Sequence, residues 1–401
     1  MPERCLTNAE VNMKKVLNVA MIGGGFMGKA HSNAWTKVNT FFDAPFKVNL
    51  KVIVGNHTPM EDFAANWGYD EVSYDWREVV KRDDIDIIDI GTPTYMHKEM
   101  AIEAAKNGKH IVCEKPCGMT YAECVEMAKA ADEAGVVHYL NHNYRRVPAV
   151  ALAKKLIDDG RLGRIYHWRG AYLQDWIMDE DAPLTWHLRA DRAGAGVLFD
   201  LGSHAVDLAR YLIGEPTAVT ARMETFIKER PLPGAGAATF SKGAKVENAP
   251  TGTVTVDDAA FMLLDFENGA LGAIETTRFA GGRKNFNDFE IYGSKGSLKF
   301  NFERMNELQF SDLTLPLEEQ GYRDILVTEG VHPYVSAWWP CGHIIGYEHT
   351  FVNAFYDFLC AIGGDKVVTP NLNDGAADMR VLDAARKSNA EGRRVEIKEI
   401  V

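Results

Sequence analysis

The feature that most constrains the fold of this chain is a glycine-rich turn between an apolar strand and a helix. The segment MIGGGFMGKAH places Gly23, Gly25 and Gly28 in the spacing G-x-G-x-x-G. In dinucleotide-binding folds the first glycine permits a tight turn, the second lets the backbone approach a pyrophosphate, and the third lets helix and strand pack closely. A lone match is a weak signal, so its meaning depends on the surrounding pattern.

The surrounding pattern is a regular alternation of apolar strands with helical segments. Five segments between residues 16 and 140 are typical of strands, namely VLNVAMIG, VNLKVIVG, DIDIIDIGT, GKHIVCEKP and VVHYLNHNY. Nearly all-apolar strands that alternate with helices predict a doubly wound parallel sheet with both faces covered. This is the context that the glycine motif requires. We therefore predict a Rossmann dinucleotide-binding domain over residues 16–140.

The pattern changes beyond residue 141, where alternating strands replace the strand–helix repeat. AAFMLLDF and ALGAIETTRF are joined by Glu267, Asn268 and Gly269, and Asn-Gly between two such segments is a strong hairpin signal. NDFEIYGSKGSLKFNFE is typical of a second hairpin. We predict an α/β protein in which residues 141–401 form a second α/β domain with an open, mainly antiparallel sheet. Residues 1–15 are predicted to be a polar tail, and 231–252 a long loop.

Composition and charge exclude several classes of function. The 401 residues carry a formal net charge of −12, whereas a nucleic-acid partner requires a basic face. We find no apolar run of 18 residues, the length that a membrane span requires. The six cysteines form no C-x-x-C pair, so we predict no metal site. Reduced thiols of this kind are typical of a cytoplasmic enzyme, and cytoplasmic is the expected location.

The second predicted strand ends at the position expected to contact the ribose of a dinucleotide. Asn56 stands there, followed by His57. An acidic residue would favour NAD by bonding the ribose hydroxyls, and an arginine would favour NADP. Asn56 does neither, and we predict NAD, with NADP as the alternative.

Three residues outside the glycine motif have groups suited to hydride-transfer chemistry. Lys115 follows the fourth apolar strand, and Asp200 and His204 stand four residues apart, on one face of a predicted helix. Oxidation of a secondary alcohol requires its hydroxyl proton to leave. A histidine can accept that proton near neutral pH, and a lysine ammonium can hydrogen-bond the developing alkoxide. Asp200 is expected to orient the imidazole or to bind an adjacent hydroxyl.

The motifs GGGFMG, TPTYMH, EKP and DLGSH occur in the order and spacing of the Gfo/Idh/MocA oxidoreductases, which this chain resembles over nearly its whole length. The resemblance implies a Rossmann domain, a second α/β domain with an open sheet, and catalytic roles for Lys115, Asp200 and His204. It also implies a homo-oligomer, either a dimer or a tetramer. The cofactor contacts that it implies are Gly23, Gly25, Phe26, Met27, Gly28, Asn56, His57, Thr92, Pro93, His97, Glu114 and Lys115.

Three further segments, NHNYRRVPAVALAKKLI, GAYLQDW and IIGYEH, are similar to the bacterial glycoside 3-dehydrogenases of that family. That similarity implies oxidation of the C3 hydroxyl of a glucopyranose unit to a 3-keto sugar. Aromatic rings are expected to stack on the sugar and polar side chains to bind its hydroxyls. The stacking candidates are Tyr172, Trp176, Trp186, Trp338 and Trp339. The full set of expected substrate contacts is Lys115, Tyr144, Arg145, Tyr172, Gln174, Asp175, Trp176, Asp200, His204 and His332.

Three alternatives to a glycoside 3-dehydrogenase stay open at this point. The first is a dehydrogenase of inositol or another sugar. The second is a redox-neutral enzyme that holds NAD tightly, either as a glycosidase or by passing hydride between two sugars. The third is a non-catalytic sensor, which would have no need of Lys115 and His204.

Overall fold

The computed structural model of the protein describes residues 14–56, 58–233, 250–365 and 367–401. Three sequence predictions fall wholly or partly outside the described residues. They are the ribose contact of His57, most of the tail at 1–15, and the central part of the loop at 231–252.

The first sheet consists of six parallel strands. They are β1 Val16–Ile22, β2 Lys47–Val54, β3 Glu71–Ser73, β4 Ile87–Ile90, β5 His110–Cys113 and β6 His138–Leu140. Their spatial order is β3-β2-β1-β4-β5-β6. Successive strands are added on one side of β1 up to β3 and on its other side from β4 onward. Sheets of this kind bind ligands in the crevice at the carboxyl ends of the strands where the order changes side. The prediction of a Rossmann sheet is confirmed, and only the short β3 was not indicated by the sequence.

Helices cover both faces of this sheet, as the apolar strands predicted. The helices are α1 Phe26–Phe41, α2 Glu61–Trp67, α3 Trp76–Val79, α4 His97–Lys106 and α5 Tyr121–Ala134. Val19 and Ile53 belong to the buried cluster on one face, and Ala20 and Val52 to the cluster on the other. Gly135 ends α5 in the left-handed conformation, where glycine meets no steric penalty.

The second sheet has nine strands in the described chain and is mainly antiparallel. Its strands are β7 Ile165–Leu173, β8 Pro216–Glu224, β11 Ala259–Phe266, β12 Leu271–Thr277, β13 Phe286–Gly293, β14 Gly296–Asn301, β15 Glu307–Asp312, β16 Tyr322–Leu326 and β17 Val395–Glu396, while β9 Glu229–Pro231 and β10 Thr251–Thr253 form a separate pair. The order is β16-β15-β14-β13-β7-β12-β11-β8-β17. Only β7 and β12 pair in parallel. Both predicted hairpins, β11–β12 and β13–β14, are present.

One face of the second sheet is covered by helices that also complete the site. The remaining α-helices are α6 Pro148–Asp158, α7 Ala190–Ala193, α8 Val197–Asp200, α9 Gly202–Ile213, α10 Tyr347–Ile362 and α11 Leu372–Glu391. Short 3-10 turns occupy Thr94–Met96, Asn143–Arg146, Trp186–Leu188, Phe302–Arg304, Leu317–Glu319, Val335–Ala337 and Ile397–Glu399. The α9 segment has an apolar face that is buried and consists of Leu201, Ala205, Leu208 and Leu212. This burial fixes the helix that presents His204.

The late helix α10 packs on the first sheet rather than the second. Phe351, Phe355 and Phe358 belong to the same buried cluster as Val19 of β1 and Trp35 of α1. The predicted domain boundary between residues 140 and 141 stays a prediction. Among the described residues, no helix combines the length and the apolarity needed to cross a bilayer.

Candidate active site

The glycine motif forms the close turn that its spacing predicted. Gly23 has a φ of +108°, and a Cβ there would lie 2.7 Å from the backbone oxygen of Gly91. A Cβ on Gly28 would lie 2.1 Å from the backbone oxygen of Gly23, so only glycine permits this approach of helix and strand. A Cβ on Gly25 would meet nothing within 4 Å, which leaves open space before the start of α1. The first turn of α1 holds no acidic residue, so this helix N-terminus suits a pyrophosphate.

A cavity of about 1090 Å³ runs from this turn to the second sheet. That volume is at the upper end for a ligand site and accommodates an extended cofactor together with a small substrate. Of the predicted cofactor contacts, its walls include Gly23, Gly25, Phe26, Met27, Asn56, Thr92, Pro93, Glu114 and Lys115. Of the predicted substrate contacts, its walls include Lys115, Tyr144, Tyr172, Gln174, Asp175, Trp176, Asp200 and His204.

Lys115 connects the carboxyl edge of the first sheet to the second half of the chain. Its Nζ donates hydrogen bonds to Oδ1 of Asp200 at 2.7 Å and to the Asp200 backbone oxygen at 2.9 Å. Arg278 Nη2 donates to the other carboxylate oxygen, Oδ2, at 2.8 Å. Burial acts to raise the pKa of Asp200, but the Lys115 ammonium and the Arg278 guanidinium hold it well below its usual value. The ionised carboxylate therefore fixes the lysine in the cavity.

Asp200 does not hydrogen-bond to His204, as it would if it oriented the imidazole. Asp200 was expected to orient the imidazole or to bind a hydroxyl. Across the described residues it makes no hydrogen bond to His204, because both of its carboxylate oxygens accept from Lys115 and Arg278. Its orienting role is toward the lysine.

His204 is a buried and neutral base on the wall of the cavity. It is 5% exposed, and its ring lies 4.6 Å from the ring of Tyr144 and 5.8 Å from that of Tyr172. Burial, assisted by the nearby Lys115 and His142, lowers the pKa of His204 well below 6.5. An imidazole that stays neutral at physiological pH is ready to accept a proton.

A hydrogen-bonded cluster of hydroxyl and amide groups lies beside His204. The Tyr144 and Tyr172 hydroxyls are 2.7 Å apart, and Tyr172 donates to Oδ1 of Asn285 at 2.7 Å. Gln174 Nε2 donates to the same Asn285 oxygen at 2.9 Å. Burial raises the pKa of Tyr144 to about 12, so its hydroxyl is neutral. This cluster offers both hydrogen-bond donors and acceptors to a polyhydroxylated ligand.

Besides Gly28, which serves the close approach of helix and strand, three residues predicted to touch a ligand lie outside the cavity. Arg145 is 4% exposed, and its Nε and Nη2 donate to the Asp207 carboxylate at 2.6 to 3.0 Å. His332 lies in a loop, where its Nδ1 accepts from the backbone N–H of Glu329. The ring nitrogens of His97 lie 2.8 and 3.0 Å from the backbone oxygens of Thr92 and Pro116, so this histidine braces two cavity-lining segments from behind.

Two of the predicted stacking residues are also placed elsewhere. Trp338 packs against Phe41 with ring centroids 4.5 Å apart and donates from Nε1 to Asn353. Trp339 packs on the edge of the same phenylalanine. Trp176 and Trp186 do line the cavity. Tryptophans on the α1 side of the chain thus serve packing, and those near the second sheet face the ligand space.

The sequence interpretation missed Arg278, His187 and Asn285, which also line the cavity. Arg278 stands at the end of the strand in ALGAIETTRF, and its partner Asp200 is distant in sequence. Burial lowers the pKa of His187 to about 3, so this histidine is neutral as well. The sequence offered one signal for Arg278, its position directly after a strand. In the structure that strand pairs in parallel with β7, and Arg278 follows its carboxyl end.

Beneath the glycine turn lies a fully buried ion cluster built on His31. Its Nδ1 lies 2.8 Å from Oδ1 of Asp89, and its Nε2 lies 2.8 Å from Oε1 of Glu114. Burial alone would lower the pKa of His31, but the Asp89 and Glu114 carboxylates outweigh it and raise the pKa to about 10. Oε2 of Glu114 also accepts from the backbone N–H of Lys115 at 3.1 Å. The cluster therefore holds the backbone of Lys115.

Within the described ranges, one set of three side chains is close enough to hold a metal ion, namely His142, Asp207 and Asp378. Asp207 is paired with Arg145 at 2.6 Å, and Asp378 with Arg210 at 2.7 Å. Because each carboxylate already has a cationic partner, the set has no uncompensated negative charge for a metal ion.

Both halves of the chain match family models of known proteins. Residues 17–142 match the model of the oxidoreductase family with an NAD-binding Rossmann fold, and residues 150–299 match the GFO/IDH/MocA C-terminal domain. The first match agrees with the predicted cofactor, NAD. A levoglucosan dehydrogenase from Pseudarthrobacter phenanthrenivorans is 42% identical over 96% of this chain and 99% of its own.

Solved structures give the same result. Levoglucosan dehydrogenase in complex with NADH and levoglucosan superposes with a TM-score of 0.89 at 41% identity, over 96% of this chain and all of the other. An oxidoreductase domain protein from Kribbella flavida superposes with a TM-score of 0.90 at 46% identity, over 96% of this chain and 99% of the other. The predicted resemblance is confirmed over nearly the full length. The chain belongs to the Gfo/Idh/MocA family of oxidoreductases.

Proposed function

We propose that this protein is an NAD-dependent sugar dehydrogenase that oxidises the C3 carbinol of a glucopyranose unit, in a glycoside or an anhydrosugar, to a 3-keto sugar. The observation that carries the proposal is the placement of Lys115 and neutral His204 in one cavity with the glycine turn. The similarity to a levoglucosan dehydrogenase supports a sugar as substrate. The resemblance to glycoside 3-dehydrogenases supports the C3 position.

The proposed chemistry assigns one task to each side chain. The Lys115 ammonium, held by Asp200, donates a hydrogen bond to the substrate oxygen and stabilises the charge that develops on it. Nε2 of His204 accepts the hydroxyl proton as the carbonyl forms. Bound NAD⁺ supplies the hydride acceptor. Atoms and electrons then balance, since the proton remains on His204 and the hydride leaves with the cofactor.

The remaining cavity walls form the proposed sugar subsite. The hydrogen-bonded cluster, which consists of Tyr144, Tyr172, Gln174 and Asn285, would bind hydroxyl groups. The aromatic rings of Trp176 and Trp186 would cover the C–H face of a pyranose. Asp175 lies at the rim, where it is paired with Lys284 at 2.7 Å. The residues proposed as substrate contacts are Lys115, Tyr144, Tyr172, Gln174, Asp175, Trp176, Asp200 and His204.

We also propose that the chain forms a homo-oligomer through the outer face of its second sheet. Phe261 and Leu263 on β11 and Leu271 on β12 are 49%, 63% and 60% exposed. These apolar side chains lie on adjacent paired strands, and a contiguous apolar patch of this kind favours a protein partner. Light scattering of the purified protein will measure the number of subunits, and a monomer would contradict the proposal.

The function is tested by NADH formation at 340 nm with a panel of sugars. The panel contains levoglucosan, a methyl glucoside, an aryl glucoside, glucose and myo-inositol, and products are examined by NMR for a 3-keto group. Reduction of NAD⁺ with a 3-keto product from a glucoside or levoglucosan supports the proposal. Activity on myo-inositol alone would replace it with the cyclitol alternative. Tightly copurifying NAD without net NADH formation would favour the redox-neutral alternative.

Two variants test the assigned roles. Lys115→Ala and His204→Ala are expected to lower kcat by roughly 100-fold or more, as loss of an acid–base or charge-stabilising group does. NADH binding, measured by fluorescence, is expected to survive because the glycine turn is unchanged. His332→Ala is the matched control, since this histidine lies outside the cavity. Near-normal turnover in either catalytic variant would contradict the assignment.

A further inference from the structure

A second histidine lies directly behind His204, on the side away from the cavity. Nδ1 of His142 is 3.4 Å from Nδ1 of His204, and the two rings meet edge to face. Nε2 of His142 lies 3.3 Å from Oδ2 of Asp378. Arg210 Nη1 donates to the other Asp378 oxygen at 2.7 Å. His142 and Asp378 are each 1% exposed, so solvent does not compete for these contacts.

With His142 neutral, the row formed by Asp378, His142 and His204 has one arrangement of protons. Asp378 is ionised by its pairing with Arg210 and can only accept, so Nε2 of His142 carries the hydrogen that faces it. A neutral His142 then presents a lone pair at Nδ1. Nδ1 of His204 must carry a hydrogen to donate to that lone pair. His204 therefore keeps its own lone pair on Nε2, the nitrogen that makes no hydrogen bond to any described residue.

We propose that His142, backed by Asp378, is a positioning residue that locks His204 in the tautomer whose Nε2 accepts the substrate proton. The inference deepens the proposed function, on which its catalytic part rests. In serine proteases a carboxylate bonded to the catalytic imidazole performs the same task, and loss of the correct tautomer there lowers kcat strongly. Here a second imidazole stands between the carboxylate and the base.

The row also stabilises the product of proton transfer. After His204 accepts a proton at Nε2 it is an imidazolium, and its Nδ1–H donates to neutral His142. The Asp378 carboxylate lies 3.3 Å from Nε2 on the far side of His142, and its negative charge stabilises the new cation without moving a proton. The present distances are long for hydrogen bonds, and catalytic hydrogen bonds in a ligand-free protein commonly shorten when the reacting complex forms.

The charges around the row balance without His142. Asp378 pairs with Arg210, and Asp207 pairs with Arg145 at 2.6 Å. His142 is therefore not needed to neutralise a buried carboxylate. Its polar ring contributes the acceptor for His204, which an apolar side chain of similar size would not supply.

The kinetic test compares His142→Leu with His142→Asn. Leucine fills much of the space but offers no acceptor, whereas the Oδ1 of asparagine occupies nearly the position of the histidine Nδ1. We expect His142→Leu to lower kcat by roughly 30-fold or more with little change in KM, and His142→Asn to restore most of that loss. Thermal melting and NADH binding identify any variant that fails to fold. Leucine and asparagine variants that are folded and equally slow would overturn the proposal, as would an unimpaired leucine variant.

The spectroscopic test needs no turnover and so separates this inference from the proposed function. In ¹⁵N-histidine NMR of the full chain, assigned by the loss of signals in His204→Ala, we expect the His204 ring to carry its proton on Nδ1. The His142→Leu variant is expected to lose that preference. A proton on Nε2 in the wild-type protein would overturn the proposal. The Nδ1 tautomer in a protein that oxidises no sugar would support the positioning role and remove the proposed function.

Discussion

His31 and His204 are buried to nearly the same extent, yet His31 is charged and His204 is neutral. They are 0% and 5% exposed. Burial disfavours the charged form of both, but His31 contacts two carboxylates and His204 faces Lys115 and another histidine. At neutral pH the first is therefore a cation and the second, at rest, is neutral. The comparison teaches that the neighbours of a buried histidine, rather than its depth, decide its chemistry.

Both histidines lie near the same lysine, His31 through Glu114 on its backbone side and His204 on its ammonium side. His31 holds Glu114, whose carboxylate accepts from the Lys115 backbone, while Asp200 holds the Lys115 ammonium near His204. The cationic histidine thus belongs to the scaffold, and the neutral one is the base of the proposed chemistry. A substitution at the first is expected to change stability, and one at the second to change turnover.

The largest expected effect is the loss of stability in His31→Leu. The change removes the cation and leaves the Asp89 and Glu114 carboxylates buried without it, which costs about 3–5 kcal/mol. Urea unfolding measures the difference in the free energy of unfolding. His204→Leu is the matched control, and it should cost much less because it removes a neutral ring. Equal losses in the two variants would break the comparison.

A smaller effect is expected in the pH dependence of stability, where the two histidines act on opposite sides of pH 6.5. The folded-state pKa of His31 is raised to about 10, so its stabilisation is complete below 6.5 and is lost as the pH rises through 10. The lowered pKa of His204 has the opposite sign, because the unfolded chain binds a proton below 6.5 that the folded one does not. Each slope is at most about 1.4 kcal/mol per pH unit.

Unfolding free energies across pH 5 to 10 test this prediction. The difference between wild type and His31→Leu should shrink with rising pH above 6.5. The difference between wild type and His204→Leu should change only below it. A His31 difference that stays constant from pH 6.5 to 10 would show that this ring is neutral.

The smallest expected effect sharpens the comparison from the catalytic side. Because His204 remains neutral below pH 6.5, kcat/KM should not fall tenfold per pH unit from 6.5 to 5.5. Steady-state rates over that range, with the enzyme checked for stability at each pH, provide the measurement. A titration centred on 6.5 that disappears in His204→Ala would mean that the base is charged at rest.

Local patterns in the sequence predicted the frame of the site. The glycine turn, Lys115 after β5, and the Asp200–His204 pair were found because each depends on residues a few positions apart. The two sheets were predicted for the same reason, since strand–helix alternation and the Asn268–Gly269 hairpin are local signals.

What the sequence could not predict depends on distant partners. Arg145 was expected to bind substrate, but Asp207, 62 residues away, holds it behind the cavity. Asp200 was expected to orient His204 or to bind a hydroxyl, but His204 Nδ1 instead lies 3.4 Å from Nδ1 of His142, also 62 residues away. Neither pairing has a signature in the order of residues, because the fold alone brings α9 beside the turn that follows β6.

The packing of α10 on the first sheet has a consequence for how the chain is made. Phe351, Phe355 and Phe358 complete the core around Trp35 of α1, although more than 200 residues separate β6 from the end of α10. At ordinary synthesis rates, roughly 10 to 40 s pass between the emergence of these two parts from the ribosome. During that interval the nascent nucleotide-binding half has all of its strands but an open apolar face. The core of this half is therefore completed only after α10 has been synthesised, and a chain that stalls before α10 presents that face to chaperones and proteases.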